Sequence, residues 1–267
     1  MPLGMVTLML RKSFLRLRRA VLKFIIPERV WPRSVHVGSV EVVLRGAPYS
    51  FGIKRLLSKD PDSYERAERT FLTQLKSNDH VIEYGSSIGV LTALICEQVP
   101  DGKVVSVEAS AALINYSRTW LSRYSQLTQV HAAAFPINDR IDLSFSFDDA
   151  DGSLGGMVNY DKSTPSENDL STFFISDASR IDGFCPTVLI VDIEGSEDII
   201  LSEPMNLPQS IDRIIIELHS FIYGRETEER IIDRIQEQGF ALTNRVESVH
   251  YFTCLLYTSP SPRDIGE

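Results

Sequence analysis

Four acidic side chains close apolar runs in this chain. Glu83 ends "HVIE", Glu108 ends "KVVSVE", Asp192 ends "TVLIVD" and Glu217 ends "RIIIE". One acid at the end of a buried strand means little. Several at the same end of a parallel sheet form a polar edge, where open α/β sheets bind ligands. After the first run the chain reads Glu83-x-Gly85-x-x-x-Gly89. Gly85 can take dihedrals that a side chain forbids, and Gly89 lets the next helix pack close to the strand. With little bulk between them, a ligand can approach the backbone N–H groups. Glu108 lies 19 residues beyond Gly89, at the end of the second strand. An acid in that place can hydrogen-bond both hydroxyls of a ribose. The pattern therefore points to a nucleoside-containing ligand.

The first glycine slot decides which nucleoside. A dinucleotide site needs Gly-x-Gly-x-x-Gly and seats the pyrophosphate on a helix N-terminus. Here Glu83 fills that slot. A carboxylate would repel a pyrophosphate and suits a positively charged group, such as the methionine ammonium of S-adenosylmethionine. A nicotinamide-dependent dehydrogenase is disfavoured on the same ground. His36, His80, His131 and His250 read as structural or exposed residues.

The elements that must position these residues alternate. Residues 80–85 predict a strand and 88–98 a helix; 102–109 a strand and 111–124 a helix. Residues 127–135, 142–147, 187–195 and 212–219 read as further strands, 229–239 as a helix, and 240–256 as a final strand or hairpin. Such alternation argues for a parallel sheet covered on both faces. Upstream, 35–46 alternates as a hairpin with a Gly38-Ser39 turn, and 61–76 reads as a helix burying Tyr64, Ala67, Phe71, Leu72 and Leu75. Residues 149–169 are polar and contain glycines, as in a surface loop or a lid over a site. The expected division is a basic helix-and-hairpin extension over 1–59, a main domain over 60–256, and a tail over 257–267. That tail is polar and proline-containing and resembles translated adaptor sequence, so it is expected to be non-native or disordered and to carry no function.

Composition sets further limits. Hydrophobic residues make up 43% of the 267 and charged residues 24%, enough for a sizeable core. The net charge is −9, yet residues 1–33 hold eight basic side chains against one acid, Glu28. An acidic body argues against general nucleic-acid binding, which needs clustered Lys and Arg. Residues 10–26 place Phe14, Leu17 and Val21 at helical spacing among basic residues, which allows weak contact with an anionic membrane surface. No run is apolar and long enough for a membrane-spanning helix, and the first ten residues make a weak signal peptide. Cys96, Cys185 and Cys254 are far apart and without a CxxC, so a reducing, cytoplasmic compartment is expected.

The order and spacing of "VIEYGSSIGVLTALI", "GKVVSVEAS", "VLIVDIEGSEDIIL" and "RIIIELH" resemble the FkbM-type methyltransferases, over roughly 60–240. The Asp192-x-Glu194-Gly195-x-Glu197 element is the most specific part. The resemblance implies an α/β class I methyltransferase fold: a Rossmann-like sheet, mostly parallel with an antiparallel edge strand, and helices on both faces. It implies an S-adenosylmethionine-dependent enzyme, mostly acting on oxygen of a sugar, glycan or small metabolite. Glu83, Gly85 and the backbone of Ser86 and Ser87 would hold the methionine part, and Glu108 the ribose. Asp192 would face the reacting methyl group. Glu194 and His219 would orient or deprotonate the acceptor. The family commonly has Glu-Pro where this chain has Glu108-Ala109, and Leu-Asp where it has Ser176-Asp177. No tight ligand spacing among Asp192, Glu194 and His219 supports a metal, so none is expected. A fold that keeps the nucleoside site but serves as a non-catalytic scaffold is the main alternative.

Overall fold

The computed structural model describes residues 28–135, 144–148, 157–161, 171–200 and 207–255. The expected basic helix over 10–26 and the tail over 257–267 lie outside the described residues, as does most of the loop over 149–169. The strands are β1 (Ser34–Val37), β2 (Val40–Val43), β3 (His80–Tyr84), β4 (Lys103–Glu108), β5 (Leu127–His131), β6 (Ala133–Phe135), β7 (Ser144–Asp148), β8 (Met157–Asp161), β9 (Thr172–Phe174), β10 (Val188–Val191), β11 (Arg213–Glu217), β12 (Phe240–Val246) and β13 (Val249–Cys254). The α-helices are α1 (Phe51–Lys59), α2 (Arg66–Phe71), α3 (Val90–Gln98), α4 (Ala111–Leu121), α5 (Glu197–Ile200), α6 (Ser220–Tyr223) and α7 (Arg225–Glu237).

Seven strands form one sheet in the order β12-β13-β11-β10-β3-β4-β5. From β11 to β5 the strands are parallel, and β13 runs antiparallel to both of its neighbours. This is the class I methyltransferase arrangement, with the antiparallel strand one place in from the edge. The central strands are apolar on both sides because both faces are covered. Val81, Val104, Val188, Ile190 and Ile215 pack toward α3, the β1–β2 hairpin and α1. Ile82, Val105, Leu189, Ile214 and Ile216 pack toward Ile231 and Ile235 of α7 and the segment around Ile175 and Phe184.

The chain builds β3, β4 and β5 outward on one side, then returns to the other side of β3 with β10. The boundary between β3 and β10 is thus the topological switch point, where a crevice opens at the strand C-termini. At the opposite end, Arg213 spans the same boundary: Nη1 and Nη2 donate to the two carboxylate oxygens of Asp79 at 2.8 and 2.5 Å.

Three expected elements differ. The helix over 61–76 is divided into a 3-10 turn at Pro61–Ser63, α2, and a second 3-10 turn at Leu72–Gln74. The division falls at Glu65, whose φ of 47° is left-handed. The strand over 127–135 breaks at Ala132; β5 stays in the main sheet while β6 pairs with β9. Within the glycine-containing segment 149–169, residues 157–161 form β8, antiparallel to β7.

Candidate active site

The switch-point crevice widens into a cavity of about 340 Å³. Its walls come from the C-terminal ends of the sheet strands (Gly85 and Ser87 after β3, Val107 and Glu108 in β4, Asp192 and Glu194 after β10, Glu217 in β11), from Tyr64 to Glu68, and from the β12–β13 turn at Glu247 and Ser248. Seven carboxyl side chains line it: Glu65, Glu68, Glu108, Asp192, Glu194, Glu217 and Glu247, against one basic residue, Arg66.

Backbone strain gathers at the same place. Among the described residues, the non-glycine residues with positive φ are Glu65, Ser87, Glu194 and Glu247. All of them line the cavity. A left-handed non-glycine residue costs on the order of 1–3 kcal/mol and persists where its surroundings impose it, most often at functional sites.

The two glycines of the β3–α3 loop serve internal approach. A Cβ on Gly85 would stand 1.6 Å from the carbonyl oxygen of Asp192. Gly85 therefore lets the loop meet the end of β10 without a gap. A Cβ on Gly89 would lie 2.6 Å from Leu121 Cδ1, so Gly89 makes room for α4. Gly85 lines the cavity; Gly89 is behind it.

Glu108 ties this loop to the next element. Its Oε2 accepts the Ser87 N–H at 2.7 Å and its Oε1 the Ser110 N–H at 2.7 Å. Burial pushes its carboxyl up to about 7 in spite of these donors. Glu83 lies beneath the loop rather than on the cavity wall and is 1% exposed. Thr92 Oγ1 donates to its Oε2 at 2.6 Å, while Oε1 has no hydrogen-bond partner. Burial pushes Glu83 up to about 7 as well. Ser86 is buried behind the wall, and Ser87 faces the cavity; the hydroxyls of both lack partners.

The sequence-predicted catalytic residues come together. His219 Nδ1 is 2.8 Å from Glu197 Oε1, and that oxygen also accepts the N–H groups of Ile193 and Gly195. This fixes Nδ1 as the protonated nitrogen and turns Nε2 toward Glu194 at 3.5 Å, Asp192 at 3.7 Å and Glu217 at 3.7 Å. Burial alone would lower the His219 pKa, but the Glu197 hydrogen bond and the surrounding carboxylates hold it above its ordinary value. Asp192 and Glu194 line the cavity, and His219 backs them. Burial first, and then Glu217 and Glu194, keep the Asp192 carboxyl well above the usual range.

Sequence reasoning missed Tyr64, Glu65, Glu68 and Glu247 as site residues; it set Glu217 on the polar sheet edge and Glu197 in the acidic element but gave neither a role. Glu68 stands four residues after Tyr64, on the face already expected to be buried, and an acid on an apolar helical face is the signal that could have marked it. Glu247 carried no such signal, because it is placed by a hairpin turn far along the chain.

No protein-family model matches the chain, and no curated protein matches it. Solved structures similar to the chain include several methyltransferases. They include fibrillarin of Aeropyrum pernix with natively bound S-adenosylmethionine, 12% identical over 70% of this chain and 73% of that one, with a TM-score of 0.45. The methyltransferase FkbM of Methylobacillus flagellatus is 16% identical over 75% of this chain and 52% of that one, with a TM-score of 0.42. TYW2 of M. jannaschii in complex with S-adenosylmethionine is 12% identical over 82% and 83%, with a TM-score of 0.40. At these identities the likeness is one of fold. Another similar structure is a fibrillarin–Nop5p complex, 13% identical over 70% of this chain and 78% of that one, with a TM-score of 0.43. Among the described residues, no helix is long and apolar enough to cross a membrane.

Proposed function

We propose that this chain is an S-adenosylmethionine-dependent methyltransferase of the FkbM type that methylates a hydroxyl oxygen on a sugar, glycan or small metabolite. The observation that carries this reading is a switch-point cavity with Glu108 at the second strand end and seven acids in its wall. Such a wall rejects a pyrophosphate and attracts a ligand that bears positive charge on both its sulfur and its amino group. The residues fit that ligand. Glu108 would hold the ribose; Gly85, Ser86, Ser87 and Gly89 shape the loop that would flank the methionine part. The free Oε1 of buried Glu83 adds negative charge beneath that loop once the carboxyl, pushed up to about 7 by burial, ionises.

Bound there, S-adenosylmethionine supplies a methyl group on a positively charged sulfur, a good leaving group. The protein's task is then to align the acceptor oxygen, exclude water and take a proton. Asp192 and Glu194 face the cavity to do the first, and Glu194 or His219 accepts the proton. Glu197 holds His219 in one orientation.

Calorimetric titration with S-adenosylmethionine and S-adenosylhomocysteine tests the reading, with NAD as the comparison. Both adenosyl ligands should bind, and NAD should not. Glu108→Ala removes charge-assisted hydrogen bonds worth about 1.5–3 kcal/mol each, so affinity should fall at least about tenfold. Failure of S-adenosylmethionine to bind, or preferential binding of NAD, would refute the proposal.

A further inference from the structure

The cavity holds a second feature that a cofactor site does not require. Carboxylate oxygens of Glu68, Asp192 and Glu217 all lie within 4.8 Å of one another. Glu68 comes from α2, Asp192 from the end of β10 and Glu217 from the end of β11. No lysine, arginine or histidine lies within ion-pair distance of Glu68 among the described residues, although the residue is only 6% exposed. Asp192 Oδ1 and the neighbouring Glu65 Oε2 are buried and accept no hydrogen bond. The Tyr64 hydroxyl, in the same wall and 4% exposed as a residue, has no hydrogen-bond partner either. Buried charge without a partner is costly, and it is relieved by protonation of the group or by a counter-charge. Among the described residues, His219 Nε2 is the one basic group near the cluster, 3.7 Å from Asp192 and from Glu217 and shared with Glu194 at 3.5 Å; it does not reach Glu68.

We infer that Glu68, Asp192 and Glu217 form a binding site for one hard divalent cation such as Mg²⁺ or Mn²⁺. The ligand set is entirely oxygen, which suits such ions rather than zinc or copper. Oxygens bound to one Mg²⁺ at about 2.0–2.1 Å stand no more than roughly 4.2 Å apart, so carboxylates that lie within 4.8 Å of one another need close by at most about 0.6 Å onto the ion. The three ligands come from separate elements that the core fixes, so the site is formed before the ion arrives. Ser248 Oγ donates to Glu217 Oε1 at 2.7 Å, which orients that carboxylate and leaves Oε2 toward the cluster. A second grouping, Asp192 with Glu197 and His219, is less suited. There the histidine Nδ1 and Glu197 Oε1 already satisfy each other. In the cavity the cation stands beside Asp192, where it can take an acceptor oxygen; that role, unlike the site itself, rests on the methyltransferase reading.

The test is Mn²⁺ binding to the full chain at neutral pH, without cofactor, read by the electron paramagnetic resonance signal of the free ion and by calorimetry with Mg²⁺ as competitor. One saturable site per chain is expected, displaced by Mg²⁺. Glu68→Gln keeps the shape and removes the charge; it should weaken Mn²⁺ binding about tenfold or more. Glu217→Gln should do the same, so a folding failure of one variant does not decide the matter. S-adenosylmethionine binding by Glu68→Gln is measured alongside. Lost Mn²⁺ binding in a variant whose circular dichroism spectrum is unchanged supports the site. Absence of saturable Mn²⁺ binding to the unaltered protein overturns it even if the cofactor binds, as do wild-type Mn²⁺ affinities in both variants. If Mn²⁺ binds as expected and S-adenosylmethionine does not, the cation site stands and the methyltransferase reading falls.

Discussion

Replacing Gly85 by alanine tests whether the loop and the end of β10 are built as one unit. Gly85 has φ of +87°, and an added Cβ would sit 1.6 Å from the Asp192 carbonyl oxygen and 2.7 Å from its carbonyl carbon. The two backbones would have to separate by about 1.4 Å to reach even the 3.0 Å below which real Cβ contacts essentially never fall. Gly46 provides the comparison: its φ is +78°, and nothing lies within 4 Å of its Cβ position. Gly46→Ala therefore carries the left-handed cost alone, about 1–2 kcal/mol. Gly85→Ala carries that cost together with overpacking, typically about 1–3 kcal/mol, and should lie at the upper end because the obstacle is backbone. Urea unfolding of both variants should show Gly85→Ala less stable than Gly46→Ala by about 2 kcal/mol or more. The displacement falls on Asp192, so Gly85→Ala should also lose the thermal shift produced by S-adenosylmethionine, while Gly46→Ala keeps it. Equal destabilisation of the two variants would show that the loop and β10 do not meet as described.

Two further outcomes follow from the electrostatics. Burial raises the Glu83 and Glu108 carboxyls to about 7 from an ordinary 4.5. The folded chain thus holds protons that the unfolded chain releases, a stability contribution present below about pH 4.5 and lost as pH rises toward 7. A cationic ligand needs the ionised form, so the S-adenosylmethionine thermal shift should be larger at pH 8 than at pH 6; a shift that shrinks over this range contradicts the assigned role of these acids. Asp79 works in the opposite direction. Burial would raise its pKa, but Arg213, the Lys76 N–H and Thr187 together hold it below the ordinary 3.8. Its contribution is present above about pH 3.8 and is lost as pH falls through the lower folded value. Arg213→Met leaves Asp79 buried and unpaired and should cost about 3–5 kcal/mol, measured by urea unfolding at neutral pH. A cost below about 1 kcal/mol would show that the pair does not clamp β11 to the start of β3.

The central sheet was legible because its strands announce themselves. "VLIVD" and "IIIE" are short and apolar up to their closing acids, as strands buried on both faces and open at one end must be. The positions of Glu108, Asp192, Glu194 and Gly85 around one cavity follow from that alignment, since side chains at parallel strand ends share an edge. The division of residues 61–76 was not legible. Tyr64, Ala67 and Phe71 keep helical spacing, and no proline or glycine marks the break at Glu65. Tertiary packing imposes the left-handed backbone there, and local propensity cannot report it. The service of Gly85 and Gly89 was visible only in part. Their backbone freedom is a property of the residue, but the bodies they admit, Asp192 and Leu121, belong to elements distant in the chain. Glu68 shows the same limit: its partners in the cluster lie more than a hundred residues away, so no spacing rule could join them.

Strain and charge repulsion meet at the same wall, and their coincidence says more than either alone. Left-handed Glu65, Ser87, Glu194 and Glu247 each oppose folding, and so does each carboxylate that approaches another in the cavity. Neither cost is needed to complete the core. The apolar layers on the two faces of the sheet are closed without these side chains, and Arg213 with Asp79 already joins the two halves of the sheet at the opposite end. Three of the four strained residues are acids, so the backbone is bent in the sense that concentrates negative charge. A wall of this kind is most favourable when positive charge occupies the cavity. Cofactor and cation then act on the same quantity, since each adds positive charge where the fold has gathered negative charge. The two should therefore be mutually compensating in stability, and the protein alone should be least stable at the pH where every lining carboxyl is ionised.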